Sequence, residues 1–226
     1  MTQRRVVVAI DGPAGAGKST IAQRLADRLG FTYIDTGAMY RAVALWALRQ
    51  NIDPGDMHRM EQLALAADIE LSPGRIRLNR EDVTEAIRTP DVSAGASKVA
   101  VIPGVRRAMV AKQRSIAEQA SVVMEGRDIG TVVFPDADVK IYLDADVATR
   151  AARRHDQGVS GKSREEIEQA ILTRDTLDRT KPTGKLAAAP DAVRIDTSLL
   201  TIDAVCERVA GAILVSRNNP GDIRGL

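Results

Sequence analysis

Five strand-like segments separated by helical stretches predict an α/β fold, with a mainly parallel five-stranded sheet flanked by helices. Three observations carry this. Residues 5–10, RVVVAI, are a continuous apolar run with β-branched bias, the mark of a strand buried on both faces. A glycine-rich stretch, GPAGAGKS at 12–19, follows at once and opens into helical periodicity from Ser19 to Leu29. The strand–helix alternation then recurs along most of the 226 residues.

The first helix is closed by Gly30, a residue suited to the left-handed cap. A short strand is predicted over Phe31–Ile34, then helices over about 37–50 and 56–67. The texture changes next. IEL at 69–71 and RIRLN at 75–79 alternate around Ser72-Pro73-Gly74, which predicts a small hairpin. Residues 84–119 read as helical with a break near Pro103-Gly104, since proline opens a helix better than it continues one. VVM at 122–124 and VKIYL at 139–143 are further buried strands. Helices over about 146–157 and 163–179, a strand at 193–195 and a helix over 201–217 complete the pattern. The tail NNPGDIRGL is expected to be loose.

Composition narrows the partners. A net charge of +2 and 3% aromatic residues supply neither the field nor the stacking platforms of a nucleic-acid binder. No run of 18 or more apolar residues occurs, so no membrane-spanning helix is expected. One cysteine, Cys206, cannot form an internal disulfide and fits a reducing compartment, so a cytoplasmic location is expected. Seven of the 32 basic residues are lysine and the rest arginine. That bias is either compositional drift or a set of forks facing phosphates.

The stretch at 12–19 matches G-x-x-x-x-G-K-[ST]. Gly12, Gly15 and Gly17 let backbone N–H groups wrap a phosphate, and Pro13, Ala14 and Ala16 complete the loop. The helix that follows, with Thr20 in its first turn, points its positive end at the same place. Lys18 can reach the β- and γ-phosphates, and Ser19 can ligate Mg²⁺. The pattern predicts nucleoside triphosphate binding and leaves the reaction open. N-K-x-D, the base-reading motif of a GTPase, does not occur in the sequence.

Three features point to a phosphoryl acceptor. In DTGAMYR at 35–41, Arg41 lies on a helix that is apolar nearly all round and needs an anionic partner. An internal ion pair or an acceptor phosphate would both serve. EGRDIGTVVFP at 125–135 follows a buried strand and places Arg127 and Asp128 beyond its carboxyl end, where ligands bind in open parallel sheets. A salt-bridged surface turn is the plainer alternative. Finally, Arg150, Arg153 and Arg154 lie within about one helical turn. HDQGVSGKS follows, with Gly158 and Gly161, and then Arg174, Asp178 and Lys181 share one helix face. A hinged, arginine-bearing lid fits this spacing, as does a solvated charged hairpin.

Together GPAGAGKS, DTGAMYR, EGRDIGTVVFP and RDTLD resemble the bacterial cytidylate kinases, nucleoside monophosphate kinases of the P-loop class, from about residue 5 to 215. The resemblance implies one P-loop kinase domain over 1–226. Its core would comprise 1–67, 101–149 and 166–217, with a monophosphate-binding insertion at about 68–100 and a helical lid at about 150–165. It implies transfer of the ATP γ-phosphoryl to CMP or dCMP with Mg²⁺, in pyrimidine nucleotide metabolism. Arg41 and Arg127 would then hold the CMP phosphate, and Ser97, Arg106 and Asp128 would read cytosine. Thr36, Tyr40, Arg174, Asp178 and Lys181 would line the nucleoside and phosphate site. Asp35 would help hold Mg²⁺ through water, and Arg150, Arg153 or Arg154 would approach the transferring phosphoryl.

Two positions depart from the family pattern. Lysine stands at 181 where arginine is common, before PTGKL in place of Ala-Pro-Leu, and weaker CMP binding is expected. Threonine stands at 36 where serine is also common, and the hydroxyl survives. A kinase for UMP, AMP or a non-nucleotide acceptor is the nearest rival reading, and a nucleotide-binding regulator without turnover is another. Nothing in the sequence demands a dimer, and a monomer is expected.

Overall fold

The structure, a computed structural model, describes residues 5–156, 161 and 163–218. Gly158 of the expected lid link, and the tail beyond residue 218, lie outside the described residues. The chain divides into two compact units, one formed by Met1–Thr32 with Ala120–Leu226 and the other by Tyr33–Gln119.

The first unit is built on a parallel sheet. Its central strand β1 (Val7–Asp11) runs one residue past the apolar run to end on an aspartate. The sheet order is β2-β6-β1-β7-β8, with β2 at Thr32–Asp35, β6 at Val122–Gly126, β7 at Val139–Asp144 and β8 at Val193–Asp196. β1 pairs in parallel with β6, from Val7↔Val122 to Asp11↔Gly126, and with β7, from Val8↔Val139 to Asp11↔Tyr142. β8 pairs in parallel with β7. The division between the two units falls just inside β2, after Thr32.

The central strands read as continuous apolar runs because both their faces are covered. Val8, Ala9, Ile10, Val122, Val123, Met124 and Leu143 have no exposed surface. Strand order reverses about β1, because later strands return to both of its sides. The loop leaving the carboxyl end of β1 therefore stands at the topological switch point, the usual ligand crevice of such sheets.

Helix α1 (Lys18–Leu29) follows that loop and buries Ile21, Ala22, Leu25 and Ala26. Gly30 ends it in the left-handed region at φ 67°, as the sequence predicts. The last helix, α8 (Ile202–Asn218), lies beside α1, and Arg24 and Arg28 pair with Asp203 and Glu207. Between β7 and β8 the chain forms α6 (Val147–Asp156) and α7 (Arg164–Thr180). These two pack through Ala151, Ile167 and Ile171. Ser163 and Glu166 make a reciprocal capping box at the start of α7.

The second unit holds α2 (Thr36–Arg49), α3 (Met57–Ala66), α4 (Pro90–Val99) and α5 (Pro103–Ala117), with proline opening each of the last two. Its hairpin pairs β3 (Ile69–Ser72) with β4 (Arg75–Leu78), antiparallel from Ile69↔Leu78 to Ser72↔Arg75. A two-residue strand β5 (Glu81–Asp82), too short to leave a periodic signal, extends it. The segment 68–100 lies within this unit.

Candidate active site

The loop between β1 and α1 needs glycine for two separate reasons. At Gly12 a Cβ would fall 2.0 Å from the Leu143 carbonyl oxygen, so only hydrogen fits against β7. Gly17 caps α1 in the left-handed region at φ 89°, with no side chain accepting from the first N–H groups. Those donors, with the positive end of the helix dipole, form an anion cradle.

Lys18 begins α1 yet is only 6% exposed. Its Nζ donates to the Pro13 carbonyl at 2.7 Å. Burial pushes its pKa down from 10.5 to about 7, and the charges of Arg127 and Arg174 depress it further, against the opposing pull of Glu125 and Asp11. The charges of Arg127, after β6, and Arg174, on α7, thus act on Lys18. Such a set of charges favours an anion. Ser19 and Thr20, the next two residues of α1, are exposed.

A cavity of about 500 Å³ adjoins this cradle. Residues Gly15 to Ile21 form one wall, and Arg153, Arg154, Thr197, Leu200, Ile202 and Val205 are among those facing them. The mixture of aliphatic side chains and fixed polar groups suits a nucleoside. Thr197 is a joint here, since its hydroxyl donates to the Ala16 carbonyl at 3.2 Å. The same residue accepts from Arg153, at 3.0 Å on Oγ1 and 2.6 Å on the carbonyl. Sequence reasoning missed Thr197, because its partners lie far away in the chain.

Arg150 is placed differently from Arg153 and Arg154. It is 3% exposed and turns inward. Nε donates to the Ala145 carbonyl at 3.0 Å and Nη1 to that of Ala14 at 3.2 Å. Nη2 lies 2.7 Å from an oxygen of Asp175, itself buried on α7. The guanidinium therefore braces the phosphate loop against α7. Asp175 stands inside RDTLD, and its only sequence signal is the i+1 position to Arg174.

Beyond the carboxyl end of β6, Arg127 donates from Nε to Asp178 at 2.9 Å and from Nη1 to the Gly126 carbonyl at 3.2 Å. Lys181 lies 3.6 Å from the other oxygen of Asp178. Burial raises the Asp178 pKa, but the charges of Arg127 and Lys181 outweigh it and hold the carboxyl below its usual range. The structure therefore joins Arg127, Asp178 and Lys181 in one cluster, with Arg174 contributing its field. Asp128 is buried beside them in the chain.

The second unit carries the remaining predicted residues. Asp35 caps α2, accepting from the Ala38 N–H at 2.9 Å, and its other oxygen pairs with Arg41 at 2.9 Å. Both side chains keep about a quarter of their surface exposed, so Arg41 has an internal partner and still meets solvent. Arg41 shares its helix line with Leu48, which is 47% exposed, while Met39, Ala42 and Val43 are fully buried on other sides. Thr36 is buried at the start of α2. Arg106 is buried on α5, with Nη1 3.5 Å from both the Tyr40 hydroxyl and the Ala100 carbonyl. Ser97, half-buried on α4, donates to the Ser93 carbonyl at 3.5 Å.

No cluster of three or more His, Cys, Asp or Glu suited to a metal occurs among the described residues. The donor set fits Mg²⁺, which keeps several waters and is held by one or two protein oxygens together with substrate phosphates. Ser19, exposed in the first turn beside the cradle, is such an oxygen. Asp35 has both its oxygens engaged, one by the Ala38 N–H and one by Arg41.

A sequence model of the cytidylate kinase family matches residues 8–214. A cytidylate kinase of Solibacter usitatus is 66% identical over 212 residues, which cover 92% of this chain and 91% of that protein. One from Caldanaerobacter subterraneus subsp. tengcongensis is 49% identical over 227 residues, covering 99% and 100%. Among solved structures, TT1252 from Thermus thermophilus shares the fold, with a TM-score of 0.50 at 21% identity over 94% of this chain and 98% of that one. With its phosphate loop at the switch point of a parallel sheet and a matched span of nearly its whole length, the chain belongs to the cytidylate kinase family.

Proposed function

We propose that the protein transfers the γ-phosphoryl group of ATP to CMP or dCMP, releasing ADP and CDP or dCDP. The observation that carries this reading is the glycine cradle with its buried Lys18 at the switch point of a parallel sheet, in a member of the cytidylate kinase family. The triphosphate lies in the 12–20 cradle, and its nucleoside fills the adjoining cavity. In the first unit, Arg127 and Arg174 grip the CMP phosphate, Asp178 and Lys181 orient them, and Asp128 meets the base. In the second unit, Arg41 exchanges its Asp35 partner for the acceptor phosphate, while Thr36, Tyr40, Ser97 and Arg106 hold the nucleoside.

A phosphate oxygen of CMP is already nucleophilic at neutral pH, so no strong general base is needed. Catalysis is alignment of donor and acceptor, with charge neutralised on the equatorial oxygens. Lys18 supplies positive charge from the cradle. Arg153 and Arg154 line the cavity wall and approach the transferring group when the 150–165 segment closes as a lid, and Arg150 braces the loop from behind. Ser19, and Asp35 through water, would hold Mg²⁺, which would supply positive charge to the phosphates when bound. The protein acts as a monomer in the cytoplasm, where its single thiol at Cys206 stays reduced.

The test is initial-rate ADP release from Mg·ATP with CMP, dCMP, UMP, AMP or no acceptor. Rates with CMP and dCMP should stand well above the others. Equal rates with and without acceptor would point to an ATPase or a regulator, and the acceptor assignments would be abandoned.

A further inference from the structure

The Asp11 carboxylate has no part in the scheme above, yet it is 3% exposed at the centre of the first unit. Its Oδ1 accepts from the Ile129 N–H and its Oδ2 from the Gly130 N–H, each at 2.8 Å. Those two amides open a π-helical turn, Ile129–Val133, whose own cap residue, Asp128, makes no side-chain cap bond. The turn is thus capped from the neighbouring strand. Orphan N–H groups at a helix start need such an acceptor, and π-turns recur where function fixes an unusual backbone. Gly130 fits the approach, because a Cβ there would lie 3.2 Å from Lys140 Cδ and 3.4 Å from Asp11 Oδ2.

Register makes the contact informative. Asp11 lies opposite Gly126 in the β1–β6 ladder, one residue before Arg127, and immediately precedes Gly12 of the phosphate loop. One carboxylate therefore links the root of the donor cradle to the segment bearing Arg127 and Asp128. We infer that Asp11 is a positioning residue for phosphoryl transfer, holding the Arg127–Asp128 segment in register with the phosphate cradle so that acceptor and donor phosphates align. The inference rests on the acceptor role proposed for Arg127 and Asp128.

The test is Asp11→Asn. Asparagine keeps the shape and one acceptor, but turns an NH₂ toward the second amide donor. The expected result is a loss of about 10²-fold in kcat/KM for CMP, the scale on which small misplacement acts. Affinity for the non-hydrolysable ATP analogue adenylyl imidodiphosphate should fall far less, since Asp11 exerts only the weakest of the pulls on Lys18. An unchanged kcat/KM for CMP overturns the inference. So does a parallel loss of analogue binding, which a purely structural carboxylate would give. Wild-type protein is assayed alongside, and if it transfers nothing to CMP, the acceptor reading itself falls and takes the inference with it. If the variant does not fold, amide exchange in the wild-type protein decides. Slow exchange at Ile129 and Gly130 supports the clamp, and exchange at the rate of an open loop overturns it.

Discussion

Lys18 is where burial and charge are most opposed. Burial and the nearby arginines bring its pKa to about 7, so the free protein holds it only partly protonated at neutral pH. Bound phosphates favour the ammonium and raise that value. ATP binding above pH 7 must therefore take up a proton, and affinity should fall as pH rises, by up to about tenfold per unit. Below pH 7 Lys18 is already charged and this dependence flattens. Calorimetric titration at pH 8 in buffers of different ionisation enthalpy should reveal the uptake, and heats independent of buffer would contradict it. Lys181 offers a second check. Replacing it with arginine restores a bidentate fork next to Asp178 and should lower KM for CMP about tenfold. An unchanged KM would place residue 181 outside the site. At this scale the phosphate loop is legible in the sequence, because its chemistry depends on local spacing. Asp11, Thr197 and Asp175 were not, since their partners lie far off in the chain or, for Asp175, on another helix.

The elements were legible wherever an apolar period ran for several residues. β1, α1, α2, the hairpin and the α6–α7 pair all fall within a few residues of expectation. What escaped was short or irregular, such as β5 and the π-helical turn at Ile129–Val133, which leave no period to read. The three arginines of α6 show a subtler limit. Periodicity places them within one turn, but it does not tell which faces the interior. Arg150 does, and its pair with Asp175 joins α6 to α7 at 2.7 Å. Arg150→Met should leave the buried Asp175 uncompensated and destabilise the fold by about 3–5 kcal/mol. That corresponds to a fall of roughly 10 °C in the melting temperature. Pairing it with Asp175→Leu removes the stranded carboxylate and should recover most of the loss. Equal melting of Arg150→Met and wild type would show that the bridge contributes nothing.

Over the whole molecule, the alternation of strands and helices conveyed the sheet. The compact unit at Tyr33–Gln119 was not evident as such, because its boundaries follow from contacts between distant residues rather than from composition. With a net charge of +2, the protein does not concentrate anions by its overall field. Its selectivity must come from fixed cations near the phosphate loop, so the CMP rate should depend only weakly on ionic strength when varied with an inert salt. A steep salt dependence of kcat/KM would point to long-range steering instead. The most direct measurement of the central claim follows the γ-phosphoryl itself. Incubated with γ-labelled ATP, Mg²⁺ and CMP, the protein should place the label in CDP, with little released as inorganic phosphate. Label released as inorganic phosphate at a rate indifferent to CMP would contradict the account.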